Sequence, residues 1–191
     1  MMKKGAIVLG VIVLLVVIFI FSAIGSYNGL IEKRESVDTA YSQIDTQLQR
    51  RYDLIPNLVE TVKGYAAHEV EVLTAIADAR ARLGGAQTVQ EASAANNELT
   101  SALSRLLVVV ENYPDLKANQ QFQTLTDELA GTENRINLAR QEYNLVVRDY
   151  NTKIKKFPTV IIAGIFNFDE ADYFEAAQGA DTVPTVDFNN D

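Results

Sequence analysis

The sequence predicts an all-α protein: an N-terminal transmembrane helix followed by an antiparallel up-and-down helical bundle of four (alternatively three) long helices. Three observations carry this expectation. Residues 5–24, GAIVLGVIVLLVVIFIFSAI, hold no charge, and a helix of about 20 residues rises roughly 30 Å, the thickness of a bilayer's hydrocarbon core. From Tyr27 onward the apolar residues recur at threes and fours, the stripe of an amphipathic helix. Finally, no run of useful length alternates as a strand would, and helix breakers are sparse, with 10 Gly and 4 Pro in 191 residues.

The span is assigned to 5–25, after a short basic N-terminus at 1–4. Ile7, Val8, Leu9, Val11, Leu14, Leu15, Ile18, Phe19 and Phe21 are its anchor residues, and the bilayer is the first partner expected. A secretory signal peptide is the rival reading, with Ala23 and Gly25 resembling a cleavage site, but its apolar core would be only about 7–15 residues. Orientation rests on flanking cations, of which Lys3 and Lys4 stand nearest the bilayer and Lys33 and Arg34 lie farther off. They point to the N-terminus inside and the domain on the extracytoplasmic side.

The bundle is assigned to 26–156. Leu30, Val37, Tyr41, Ile44 and Leu48 start its stripe, which continues beyond Pro56 as Ile55, Leu58, Val62, Tyr65, Val72 and Ile76. The paired glycines of RLGGAQT end that run. Thr88 with Glu91 three residues later forms a capping box for the next helix, which reaches about Glu111 through Leu99, Leu103, Leu106 and Val110. NYPDLKAN is a turn. The last helix steps through Phe122, Leu125, Leu129, Thr132, Ile136, Ala139, Tyr143, Val146 and Tyr150, a heptad-like pattern that calls for coiled-coil packing against other helices. KKFP closes it, because the residue before a proline avoids the helical region.

Pro56 decides the helix count. With Asp53 as N-cap, Pro56 falls in a first turn, where its missing amide proton is harmless, and four helices of similar length result. Alternatively one long helix is kinked there, with the 52–56 hydrogen bond lost. The stripe keeps its phase across the proline, which favours the kink; the cap and the helix lengths favour the start, and four helices are the expectation.

Arg51 lies on the same stripe as Ile44, Leu48, Ile55 and Leu58, so part of its stem is expected to be buried. In an up-and-down bundle with equal rise per residue, Arg51 stands level with roughly residue 131 of the last helix. Glu128 and Glu133 are then within reach. Arg51, Asp53, Glu128 and Glu133 are accordingly expected to form a structural clasp that sets register, with solvated arginines as the alternative.

The residues offer little for catalysis. A net charge of −8 makes nucleic acid a poor partner. The chain has no cysteine and a single histidine, so thiolate chemistry and multi-His metal sites are excluded. His68-Glu69 lacks the second histidine of a zinc protease motif, since position 72 is Val. LGGAQT lacks the lysine of a phosphate loop. No catalytic, metal or cofactor residue is expected, and no cofactor.

The tail, 157–191, is apolar and then acidic. Its first part is too short to span a bilayer. Phe157, Ile161, Ile162, Ile165, Phe166 and Phe168 are expected to pack on the bundle, lie at the membrane interface or meet another protomer. The final AAQGADTVPTVDFNND reads as an extended tail.

Together, YNGLIEKRESVDTAYSQIDTQLQRRYDLIPNLVETVKGYAAHE, ENYPDLKANQQF, ELAGTENRINLARQEYN and the ending FNFDEADYFEA…VPTVDF resemble the LemA family of bacterial membrane proteins. The resemblance runs from Tyr27 to Phe188 and implies one N-terminal membrane helix followed by a helical bundle; it implies no enzyme activity. The expected function is a non-enzymatic membrane-anchored scaffold that self-assembles as a homo-oligomer and organises or recruits an unidentified membrane protein partner. The alternative is a regulatory or accessory subunit of a membrane protease or envelope stress system.

Overall fold

A computed structural model of the chain describes residues 2–175. It holds six helices: α1 Met2–Lys63, α2 Val70–Gly85, α3 Val89–Val110, α4 Pro114–Lys117, α5 Gln120–Lys155 and α6 Thr159–Phe166. No strand occurs among the described residues, and the all-α class holds. The extended tail expected at 176–191 lies outside the described residues, as do the side chains of Lys3 and Lys4.

The contacts divide the chain into two units. The first takes α1 as far as Ser42 together with Gln141–Asp172. Leu30 and Val37 of α1 are buried in it, as are Tyr143, Val147, Tyr150 and Ile154 of α5. Val147, one residue beyond the expected Val146, holds the buried position, which keeps the steps at four, three and four. The helices run antiparallel here, since the Tyr41 ring lies 5.8 Å from that of Tyr143 while Lys153 Nζ donates to Gly29 O at 2.8 Å. Beyond α5, α6 ends at Asn167 in the left-handed region (φ 54°, ψ 51°), a conformation asparagine tolerates better than most residues. The chain then runs back along α5. Tyr150 Oη donates to Asp169 O at 2.9 Å, Tyr143 Oη donates to Asp172 O at 2.8 Å, and the Asn151 amide both donates to Ala171 O and accepts from Ala171 N, each at 2.9 Å.

The second unit takes Gln43–Arg140 and the chain from Tyr173. Ile44, Ile55 and Val62 of α1, Ile76 of α2, Leu99 and Leu106 of α3 and Ile136 of α5 form its core. Small residues at the facing positions (Ala79 on α2, Ala92, Ala95 and Ala102 on α3) let α2 and α3 approach closely as a hairpin. The expected capping box is present: Glu91 N donates to Thr88 Oγ1 at 3.1 Å, and Thr88 N donates to Glu91 Oε2 at 3.2 Å. Across the hairpin, Arg82 reaches both carboxylate oxygens of Glu98 at 2.7 and 2.9 Å. Phe174 is buried, and Ser93 Oγ donates to Glu175 O at 3.0 Å.

The expected helix start at Asp53 is corrected. α1 passes through Asp53 and Pro56 and ends at Lys63, so Asp53 caps nothing and instead accepts from Gln49 Nε2 at 3.0 Å. The joint is Gly64–Glu69, after which α2 begins. Proline costs a helix the bond from its own amide to the carbonyl four residues back, here that of Tyr52. Arg80 of α2 makes good the loss by donating its Nε–H to Tyr52 O at 3.0 Å, with its guanidinium 3.8 Å from the centroid of the Tyr52 ring. Gly84, one turn further along α2, leaves room for that ring, since a Cβ there would fall 2.7 Å from Tyr52 Cε2.

Candidate functional site

The most constrained polar group in the second unit is Arg51. Its position on the apolar face of α1 carries the guanidinium inside, where the side chain is only 3% exposed. Burying a cation is costly unless it is paired and hydrogen-bonded, and the surrounding helices supply the acceptors. Arg51 Nη1 donates to Asn96 Oδ1 at 2.6 Å, to Thr100 Oγ1 at 3.0 Å and to Glu133 Oε2. Glu133 also accepts from Asn137 Nδ2 at 3.3 Å, and Thr100 Oγ1 lies 2.9 Å from Asn96 O, to which it donates. Arg51 Nε is buried with no hydrogen-bond partner among the described residues. Burial pulls the Arg51 pKa below its usual value, while the charge and hydrogen bond of Glu133 raise it. The arrangement fixes α1, α3 and α5 at one level through one guanidinium.

Of the four residues expected to act together, the structure joins two. Arg51 meets Glu133. Glu128 pairs with Arg50 at 2.6 Å, both half exposed, and Asp53 stays on the outer surface with Gln49. Asn96 and Thr100 were not anticipated. Asn96 sits in phase with buried Ala92, Leu99 and Ala102, and a polar residue in an apolar stripe was the available signal. A cavity of about 160 Å³ beside the cluster is walled by Leu58, Leu103, Leu106 and Leu129. His68 is exposed in the joint between α1 and α2.

The anchor residues form the second feature. Ile7, Val8, Leu9, Val11, Leu14, Leu15, Ile18, Phe19 and Phe21 are all exposed on α1. A helical segment apolar on every side and left exposed by the described residues has the surface of a membrane span, and this one is long and apolar enough to cross a bilayer.

The third is the apolar tail segment. Ile162 and Phe168 are buried; Phe157, Ile161, Ile165 and Phe166 are exposed. Tyr27 of α1 receives Phe166 at 4.8 Å and Phe168 at 5.7 Å between ring centroids.

A membrane-associated, all-α helical protein is the class these features define. The LemA family profile matches residues 40–188, and the chain belongs to the LemA family. Among curated proteins it is similar to magnetosome protein MamQ 2 of Paramagnetospirillum magneticum, 28% identical over 89% of this chain and 72% of that protein. It is 26% identical to magnetosome protein MamQ of Magnetospirillum gryphiswaldense, over 91% of this chain and 74% of the relative. Protein LemA of Metamycoplasma hominis is 25% identical over 87% and 76% of the two chains.

Proposed function

We propose that the chain is a non-enzymatic, membrane-anchored scaffold that self-assembles and organises or recruits partner proteins at the bacterial membrane. The observation that carries this reading lies in the first unit, where α1 bears both the lipid-type surface and Leu30 and Val37, which are buried with residues of α5. Helix packing there begins within about two turns of the span, with no loop between them. α3 turns Leu107 and Val108 outward, 51% and 72% exposed, and these offer apolar contact to a second copy. None of the relatives' names states a reaction. Lys3 and Lys4, nearer the span than Lys33 and Arg34, support an extracytoplasmic side for the bundle.

The test is purification of the tagged full chain from native membranes in mild detergent, with mass photometry and identification of what comes with it. Self-complexes, with or without non-enzymatic membrane proteins, are the expected result. Monomers over a wide concentration range would remove the self-assembly. A protease present in fixed stoichiometry would establish the accessory-subunit alternative instead.

A further inference from the structure

We propose that α6 is a second membrane contact: an uncharged helix lying in the headgroup layer of the leaflet from which α1 emerges. The inference rests on reading residues 5–25 as the span.

Three observations in the first unit place it there. Tyr27, whose ring meets Phe166 at a tilt and Phe168 edge-on, follows the apolar segment by two residues, about 3 Å of helix rise. The other end of α6 follows closely on α5, whose own end is tied to α1. Lys153, near the end of α5, donates to Gly29 O, and α5 runs only to Lys155 before α6 starts at Thr159. Phe166, at one end of α6, thus lies beside Tyr27, and only residues 156–158 separate the other end from α5; a helix tethered at both ends in this way can lie across α1, in the plane of the bilayer surface.

The third observation is chemical. Residues 157–166, FPTVIIAGIF, contain no charge, and Phe157, Ile161, Ile165 and Phe166 are 80%, 43%, 64% and 55% exposed. Only Ile162 and Ala163 of α6 are buried. Such a surface is costly in water and favourable in the interface, which extends about 5–8 Å beyond the hydrocarbon core on each side. Charge does not lead the interaction: Lys155 is paired with Glu170 at 2.6 Å, and Lys156, exposed beside Phe157, is offset by Asp169 and Asp172 nearby in the chain, so anionic lipid is not required. The contact of α6 with Tyr27, two residues beyond the span, favours lipid over a second copy of the chain as its cover.

The absence of native cysteine makes the test direct. The full chain is reconstituted in phosphatidylcholine vesicles with a polarity-sensitive fluorophore on Phe157→Cys or Ile165→Cys. Ser36→Cys, farther along α1, is the aqueous control. Expected is a blue-shifted emission at both α6 sites and strong loss of intensity with lipids brominated high on the acyl chain, less with lipids brominated near its end. The control should show neither. Water-like emission without lipid quenching at both α6 sites would overturn the proposal. Blue-shifted emission that lipid does not quench, but that varies with the protein-to-lipid ratio, would overturn it in favour of a second copy. Failure of Phe21→Cys to be quenched would instead remove the span itself.

Discussion

Arg80 completes the backbone of a helix to which it does not belong. It donates to the Tyr52 carbonyl of α1 at 3.0 Å, the group that Pro56 leaves without its helical partner. The proline is thereby accommodated in mid-helix, with the missing donor supplied from 28 residues away.

Replacing that donor tests the relationship. Arg80→Met keeps an apolar stem and removes both the hydrogen bond and the stacking on Tyr52. It is expected to cost about 1–3 kcal/mol of unfolding free energy. In a Pro56→Ala background the restored amide at position 56 takes over the carbonyl, and the cost of Arg80→Met should shrink clearly. Chemical denaturation of the four proteins in detergent checks this as a double-mutant cycle. Equal losses in both backgrounds would show that Tyr52 O does not depend on Arg80.

Arg51 and Glu133 give a second expectation. Glu133→Ala leaves a buried guanidinium without its counter-charge, a change expected to destabilise by about 3–5 kcal/mol. Replacing the pair together, Arg51→Met with Glu133→Leu, removes the charge as well as its partner and should recover most of that loss. Glu128→Ala, which breaks only the half-exposed pair with Arg50, should cost no more than about 1 kcal/mol. Thermal and urea unfolding followed by circular dichroism rank the three. A Glu133→Ala loss no larger than that of Glu128→Ala would deny Arg51 a register-setting role.

Tyr143 predicts an alkaline limb. Burial first, then the charges of Tyr41, Asp172 and Asp38, pushes its phenol from 10.0 up to about 12. The folded state thus holds this proton more tightly than the unfolded chain. Its contribution is fully present below the unfolded value near pH 10 and is lost as pH rises toward about 12. Tyr150 is shifted in the same direction, chiefly by burial. Tyr143→Phe should lower stability at neutral pH, because Asp172 O loses its donor, and flatten the decline above pH 10. Melting midpoints across that range, with tyrosinate absorbance as the direct titration, provide the check.

Much of this was legible locally. The capping box of Thr88 and Glu91 depends on two residues three positions apart, and the pattern alone found it. The level of Arg51 followed from antiparallel rise, and residue 131 was a close estimate for a partner at 133. The helix joint was not legible, because proline is a strong local signal and Arg80, which offsets it, lies in a different helix. Gly64, the glycine at the real break, is a weaker signal than Pro56. Nor could the sequence show that Gly84, the first of the glycine pair closing α2, also makes room for Tyr52. The hydroxyls of Tyr143 and Tyr150 sat in an apolar stripe, with nothing nearby in sequence to name their acceptors.

Those acceptors have a consequence for substitution. Every bond that α5 makes to Asp169, Ala171 and Asp172 through Tyr143, Tyr150 and Asn151 ends on main-chain atoms. The side chains at 169, 171 and 172 take no part in these bonds, so the strap can exchange them while its course stays fixed. Proline at 171 is the exception, since it would remove the amide that Asn151 accepts. The path of this strap is thus set by α5 and by the strap's own backbone, with Glu170 adding a side-chain tie through its ion pair with Lys155.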